Sequence, residues 1–137
     1  MIKSSLIFVL FFSLTCMANQ EFKFSPCESK PNCQSSYEEK DGPRYFYPIE
    51  YVGPKENAKE KIIRIISELS GKIVENQGDY IKSEFTSSLF KFVDDVEIYL
   101  GEPGIIHLKS KSRSGYWDFG VNKKRLGDIT FRFHQSK

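Results

Sequence analysis

Histidine, tryptophan and methionine are scarce: two His, one Trp and two Met occur among 137 residues. The two histidines, His107 and His134, stand far apart in the chain, and neither has an obvious sequence neighbour for metal or acid–base work. A Gly-rich phosphate loop, an HExxH helix and a nucleophile elbow are all missing. No Ser/His/Asp order stands out among the serines. Charge of one sign is missing too. The 20 basic residues are nearly matched by 18 acidic ones, and a general nucleic-acid binder would carry a strong basic excess. No internal repeat and no long low-complexity run is present. Leu6–Phe12 is an apolar run of seven residues, too short for a bilayer span of about 20 residues. No metal and no cofactor is expected from these patterns.

That apolar run, preceded by Lys3, has the form of a secretory signal peptide covering residues 1–18. Cys16-Met17-Ala18 places small residues three and one before Asn19, as general cleavage requires. Ser13-Leu14-Thr15-Cys16 resembles a lipoprotein processing site, with Leu one place late and Thr in place of Gly or Ala. A soluble periplasmic or secreted product is expected, with a lipid anchor on Cys16 as the alternative. Under either route the membrane is touched only through that anchor. Cys27 and Cys33 then remain. Two cysteines in an oxidising compartment point to one disulfide. A metal pair is the other reading, although no further Cys or His lies near.

The remaining chain suits one domain. Residues 19–56 read as an irregular arm, rich in polar residues and punctuated by Asp41-Gly42-Pro43. Residues 57–137 read as an α+β domain. A helix is predicted from about Asn57, as its cap, to Ser70, with Ala58, Ile62, Ile65, Ile66 and Leu69 on one face. Four strands follow at Lys72–Glu75, Tyr80–Thr86, Phe90–Leu100 and Ile105–Lys111. The turn signals Asn76-Gln77-Gly78-Asp79 and Gly101-Glu102-Pro103-Gly104 join them into a mainly antiparallel sheet. A second helix, from about Asn122 to His134, is capped by Asn122 and places Leu126, Ile129 and Phe133 on one face. Ile129, Phe131 and Phe133 also alternate like a strand, and Gly127 costs a helix up to ~1 kcal/mol. Two helices packed on a four-stranded sheet form a two-layer solution.

The third strand carries the chemistry. Counted in twos, Phe90, Phe92, Asp94, Val96, Ile98 and Leu100 share one face. That face is apolar, so Asp94 stands where a hydrophobe belongs and needs a partner. Asp95 and Glu97 point the other way. In the next strand Ile106 and Leu108 share a face with Ser110 and Ser112, followed by Arg113 and a Ser114-Gly115 turn. Asp94 is therefore expected to accept hydrogen bonds from Arg113, Arg125 or these hydroxyls, with Asp118 sharing the network. Two uses are open. One is a buried polar network that fixes the turn before the last helix. The other is a pocket in which Arg113 and Lys123, Lys124 or Arg125 bind an anionic group near the helix start, walled by Tyr116 and Trp117. For Trp117 the alternative is ordinary core packing.

Three blocks carry a family resemblance. Ser25-Pro26-Cys27 with Pro31-Asn32-Cys33-Gln34-Ser35-Ser36 is the first, Leu89 to Glu97 the second, and Ser110 to Arg125 the third, the last holding Gly115-Tyr116-Trp117-Asp118. Together they resemble the DUF1499 family of uncharacterised bacterial and plastid proteins. The likeness runs from about Phe24 to the C-terminus. Lys109 and Lys123 stand where that family often has Arg, and Gly127 replaces a strong helix former. The resemblance implies no established activity and no catalytic residues, and its cysteine pair supports a Cys27–Cys33 bridge.

The functional expectation is an exported cell-envelope binding or interaction module with a small anionic ligand or an envelope protein as partner. Its candidate residues are Asp94, Asp95, Arg113, Tyr116, Asp118, Asn122 and Arg125. The alternative is a small hydrolase-like enzyme using Asp94 or Asp118 as acid or base.

Overall fold

A computed structural model describes residues 24–135. The signal segment 1–18 and the lipidation candidate Cys16 lie outside the described residues. The elements run β1 (Cys33–Ser35), β2 (Ile49–Glu50), α1 (Lys55–Glu68), β3 (Lys72–Gln77), β4 (Tyr80–Thr86), β5 (Val93–Tyr99), β6 (Ile105–Ser112) and α2 (Val121–Gln135).

Helix α1 buries Ala58, Ile62, Ile65 and Ile66, the stripe that helical spacing predicts. It starts at Lys55, earlier than expected. Pro54 occupies the cap position in an extended conformation with no side-chain cap bond, so Asn57 sits inside the first turn and caps nothing. Proline suits this place because its fixed φ feeds the helix and no N–H is left unpaired. The helix stops where Ser70 turns left-handed (φ 65°). Gly71 then donates its N–H to Ile66 O at 2.8 Å. A Cβ on Gly71 would stand 2.5 Å from the Phe85 ring, so packing of β4 against the helix end requires glycine.

The sheet has six strands in the order β1-β6-β5-β4-β3, with β2 also on β6. Four were expected. The extra two come from the arm that reads as irregular. β1 pairs Cys33–Ser35 with Lys109–Lys111, and β2 pairs Ile49–Glu50 with Ile105–Ile106, both antiparallel. They are too short and too polar to show an alternating pattern. Their gain is backbone hydrogen bonding along an otherwise open edge of β6. The Cys27–Cys33 disulfide, with Cα atoms 5.8 Å apart, staples the arm beside β1.

The core lies on one face of the sheet, where Ile81, Phe85, Val96, Ile98, Ile106 and Leu108 meet α1 and the Leu126, Ile129 and Phe133 stripe of α2. Phe131 is exposed, so the residues that also alternate like a strand follow helical spacing instead. Gly127 has open space around it, and no contact offsets its helix penalty. The third predicted strand is shorter than expected. β5 begins at Val93, and Phe90 and Phe92 lie in the preceding loop, exposed rather than in the core. That loop is closed by Ser87 N–H to Phe92 O at 2.8 Å and by Phe92 N–H to Ser87 Oγ at 3.0 Å.

Candidate functional site: a buried polar network beneath two aromatic loops

Register decides which side chains meet. Asp94 is opposite Phe85 on β4 and Ser112 on β6. Its carboxylate lies on the helix-covered face, and the residue is 8% exposed. The partner comes from α2. Arg125 Nη2 is 2.8 Å from Asp94 Oδ2, and the guanidinium lies 4.8 Å from the Phe85 ring centroid. Arg125 Nη1 also donates to Asn122 Oδ1 at 3.2 Å and Ser110 Oγ at 3.3 Å. A planar donor fork can satisfy a carboxylate, an amide, a hydroxyl and a ring face together, which an ammonium cannot.

Asn122 is the hub. It is fully buried. Its Oδ1 accepts from Ser110 Oγ at 2.5 Å. Its Nδ2 faces three acceptors: Asp118 Oδ2 at 2.8 Å, Ser112 Oγ at 2.9 Å and the Asn32 carbonyl at 2.9 Å. Two amide hydrogens are shared among these three oxygens. Asn32, 2% exposed, returns its own Nδ2 to the Gly115 carbonyl at 2.7 Å. The network thus ties the arm, the end of β6, the β6–α2 loop and the first turn of α2 into one unit.

Asp118, not Asn122, caps the second helix. Its Oδ1 accepts from Gly120 N–H and its Oδ2 from Asn122 N–H, both at 3.0 Å. A carboxylate there satisfies free helix N–H groups and favours the positive end of the helix dipole.

Of the partners expected for Asp94, Arg125 is the one that meets it, and Arg113 does not reach it. Ser112 shares the Asp94 face, so Arg113, one residue on, projects from the opposite one. There it bonds Asp95 through Nε at 2.9 Å and Nη2 at 2.8 Å, and also contacts Glu84 Oε1. Glu84 and Asp95 are paired directly across β4 and β5, where like charges repel; Arg113 bridges them. Burial acts to raise the Asp95 carboxyl, but hydrogen bonds from Arg113 and the charge of Lys82 outweigh it and hold it below its usual value. Bonding to Asp95 and Glu84 raises the Arg113 guanidinium in turn.

The same face continues as a charge ladder into a part that the arm covers. Lys109, itself buried, has its Nζ 3.2 Å from Glu97 and donates to Ser25 Oγ at 3.2 Å, and Tyr80 donates to Glu97 at 2.6 Å. Burial and this carboxylate push the Tyr80 phenol well above its usual range. His107 has neighbours that sequence reasoning missed. Its Nδ1 is 3.0 Å from Ser36 Oγ, and its Nε2 is 3.1 Å from Glu102 Oε1. This is no exposed nucleophile, because Ser36 is buried and its Oγ also accepts the Leu108 N–H at 3.0 Å. The cluster anchors the arm to β6. Only the pairing of β1 with β6 brings Ser36 to His107, and neither residue signals that pairing locally.

Tyr116 and Trp117 do not wall a pocket, and Trp117 is not in the core. They pack edge to face at 5.3 Å between ring centroids and project outward, Trp117 66% exposed. Phe90 and Phe92 stack at 5.7 Å in the neighbouring loop. The two loops leave the same end of the sheet, because Asp94 pairs with Ser112 and Arg113 N–H bonds Val93 O at 3.0 Å. Together they expose Leu89, Phe90, Phe92, Tyr116, Trp117 and Phe119. Lys123 and Lys124 of the expected anion pocket are exposed as well, Lys124 paired with Asp128 at 2.7 Å. A separate groove of about 750 Å³, lined by Tyr51, Lys61, Arg64 and Phe133 among others, contains none of the candidate residues.

The model of one protein family, described as "Protein of unknown function (DUF1499)", matches residues 23–133. No curated protein matches the chain.

Proposed function

The chain belongs to the DUF1499 family, whose description names no activity, and from the site we propose an exported binding or interaction module of the cell envelope. One observation carries this reading: six large apolar side chains stand exposed on two adjoining loops at one end of the sheet. Exposed apolar side chains concentrated in this way mark interaction surfaces in soluble domains. The buried network beneath them supports the same reading. Asn122, Asn32 and Asp118 hold the β6–α2 loop at its base, which lowers the entropy lost when the loop is covered. The Cys27–Cys33 bridge fits an oxidising, extracytoplasmic setting.

The hydrolase alternative has less support. Asp94 is committed to Arg125, and Asp118 to the start of α2. A general acid or base needs a proton-transfer partner within reach of substrate, and both carboxylates already accept hydrogen bonds from the chain's own donors.

The test is a Phe90→Ser/Phe119→Ser variant of the full chain. Its melting temperature is expected to stay close to wild type while its association with isolated cell envelopes is lost. Envelope association at wild-type strength would overturn the proposal. So would a melt lowered as far as that of a core variant, which would give the loops a packing role.

A further inference from the structure

We propose that the occupant of the aromatic loops is the anionic surface of a lipid bilayer, a proposal that rests on their being the binding surface. The kinds of residue and their charges point there. Trp and Tyr are the side chains suited to the headgroup level, with Phe and Leu reaching the acyl boundary. Here Tyr116, Trp117, Phe119, Leu89, Phe90 and Phe92 are all exposed at one end of the sheet.

Lys91 and Lys123 stand exposed in or beside the same loops. The acids nearby are committed: Asp118 to the start of α2, Asp95 and Glu84 to Arg113. Two ammonium groups without an acidic partner among the described residues thus stand beside the apolar loops, and an anionic headgroup layer would complement them. Lysine is depleted in protein–protein interfaces, whereas at a bilayer its stem lies along apolar surface while the ammonium stays in the polar layer. A lipid surface fits these groups better than a protein partner does.

The backbone supports the same direction. Lys91 and Phe119 are non-glycine residues with positive φ, 57° and 52°, a conformation disfavoured for bulky side chains. Phe119 is 97% exposed, so few contacts within the chain offset that cost. The strain places a phenyl ring at the loop tip, facing outward. Among the described residues no helix is long and apolar enough to cross a membrane, and the contact proposed is interfacial. It is separate from any lipid on Cys16.

Trp117 is the sole tryptophan, so its fluorescence reports this surface without contribution from the apolar N-terminal run. The experiment uses the full chain with Cys16→Ser. It is mixed with phosphatidylglycerol/phosphatidylethanolamine vesicles and, separately, with phosphatidylcholine vesicles. Expected are a blue-shifted Trp117 emission on anionic vesicles and quenching by lipids bearing a shallow acyl-chain nitroxide. Binding to neutral vesicles should be weaker by about tenfold or more, at roughly 1 kcal/mol for each lysine near an anionic surface. Lys91→Glu/Lys123→Glu should abolish the preference for anionic lipid. Unshifted Trp117 emission, even where the chain floats with vesicles through its N-terminus, would overturn the proposal. If Phe90→Ser/Phe119→Ser still lost envelope association in that case, the occupant would be an envelope protein and the binding-module reading would stand. Retained association would remove both.

Discussion

Asp94 and Asp95 are neighbours in β5, and each meets an arginine on a different face of the sheet. Asp94 points under α2 into a site where Arg125 is the matching charge and Phe85, Ser110 and Asn122 complete the shell. Asp95 points to the open face, where Arg113 and Lys82 share it with Glu84 and water has access. The first pair lies where removing one partner leaves a stranded charge. The second belongs to a screened ladder in which each member has substitutes. The contrast separates a polar group that holds the fold together from one that tunes its surface.

The largest expected effect breaks the buried side of this comparison. Asp94→Asn leaves Arg125 without its counter-charge and should cost ~3–5 kcal/mol. In a domain of this size that lowers the melting temperature by roughly 10–20 °C in a calorimetric scan. A double change to Asp94→Leu/Arg125→Met should recover most of the loss, because apolar replacement of a buried pair is often neutral. A melt for Asp94→Asn within a few degrees of wild type would show that the carboxylate is not needed for stability.

Asn122→Ala should cost less, about 1–3 kcal/mol, since it strands hydrogen-bond partners but no full charge. The loss should be seen as faster amide exchange in the β6–α2 loop as well as in the melt, because the Asn122 amide also holds the Asn32 carbonyl and Asp118.

Asp95→Asn should have the smallest effect, at most about 1 kcal/mol and weakened further by salt. Its signature is in the pH dependence. The folded state holds the Asp95 carboxyl below its ordinary 3.8, so the stability it contributes is present above that value and is lost as pH falls through the lower folded value. Urea melts of wild type and Asp95→Asn should therefore converge in acid below 3.8 and separate above it. Parallel curves across that window would remove Asp95 from the acid response.

Much of the fold was legible because its causes are local. Ile62, Ile65 and Ile66 mark a helix by spacing alone, and Gly101–Gly104 marks the hairpin between β5 and β6. The anomaly of Asp94 was legible as well, since period two puts a carboxylate among Val96, Ile98 and Leu100. The arginine pairing was legible in part: carried one residue past Ser112, the same count sends Arg113 to the opposite face. The pairing of β1 and β2 with β6 was not legible, because a three-residue and a two-residue strand show no period. The same holds for the outward course of Trp117 and Phe119, since an aromatic in a loop reads alike whether buried or exposed.

The sequence by itself determined the first helix, the antiparallel hairpins, the cysteine pair available for a bridge, and the need of Asp94 for a partner. Each follows from spacing within a few residues or from the cost of burying a charge. Only the tertiary structure decided that Arg125 meets that need, that Asn122 joins the arm to α2, and that two loops with exposed aromatics leave the same end of the sheet. Those outcomes depend on strand register and on which segments reach the edges of β6. Register is a long-range choice set by the sum of backbone pairing and core packing, and no short window of residues contains it.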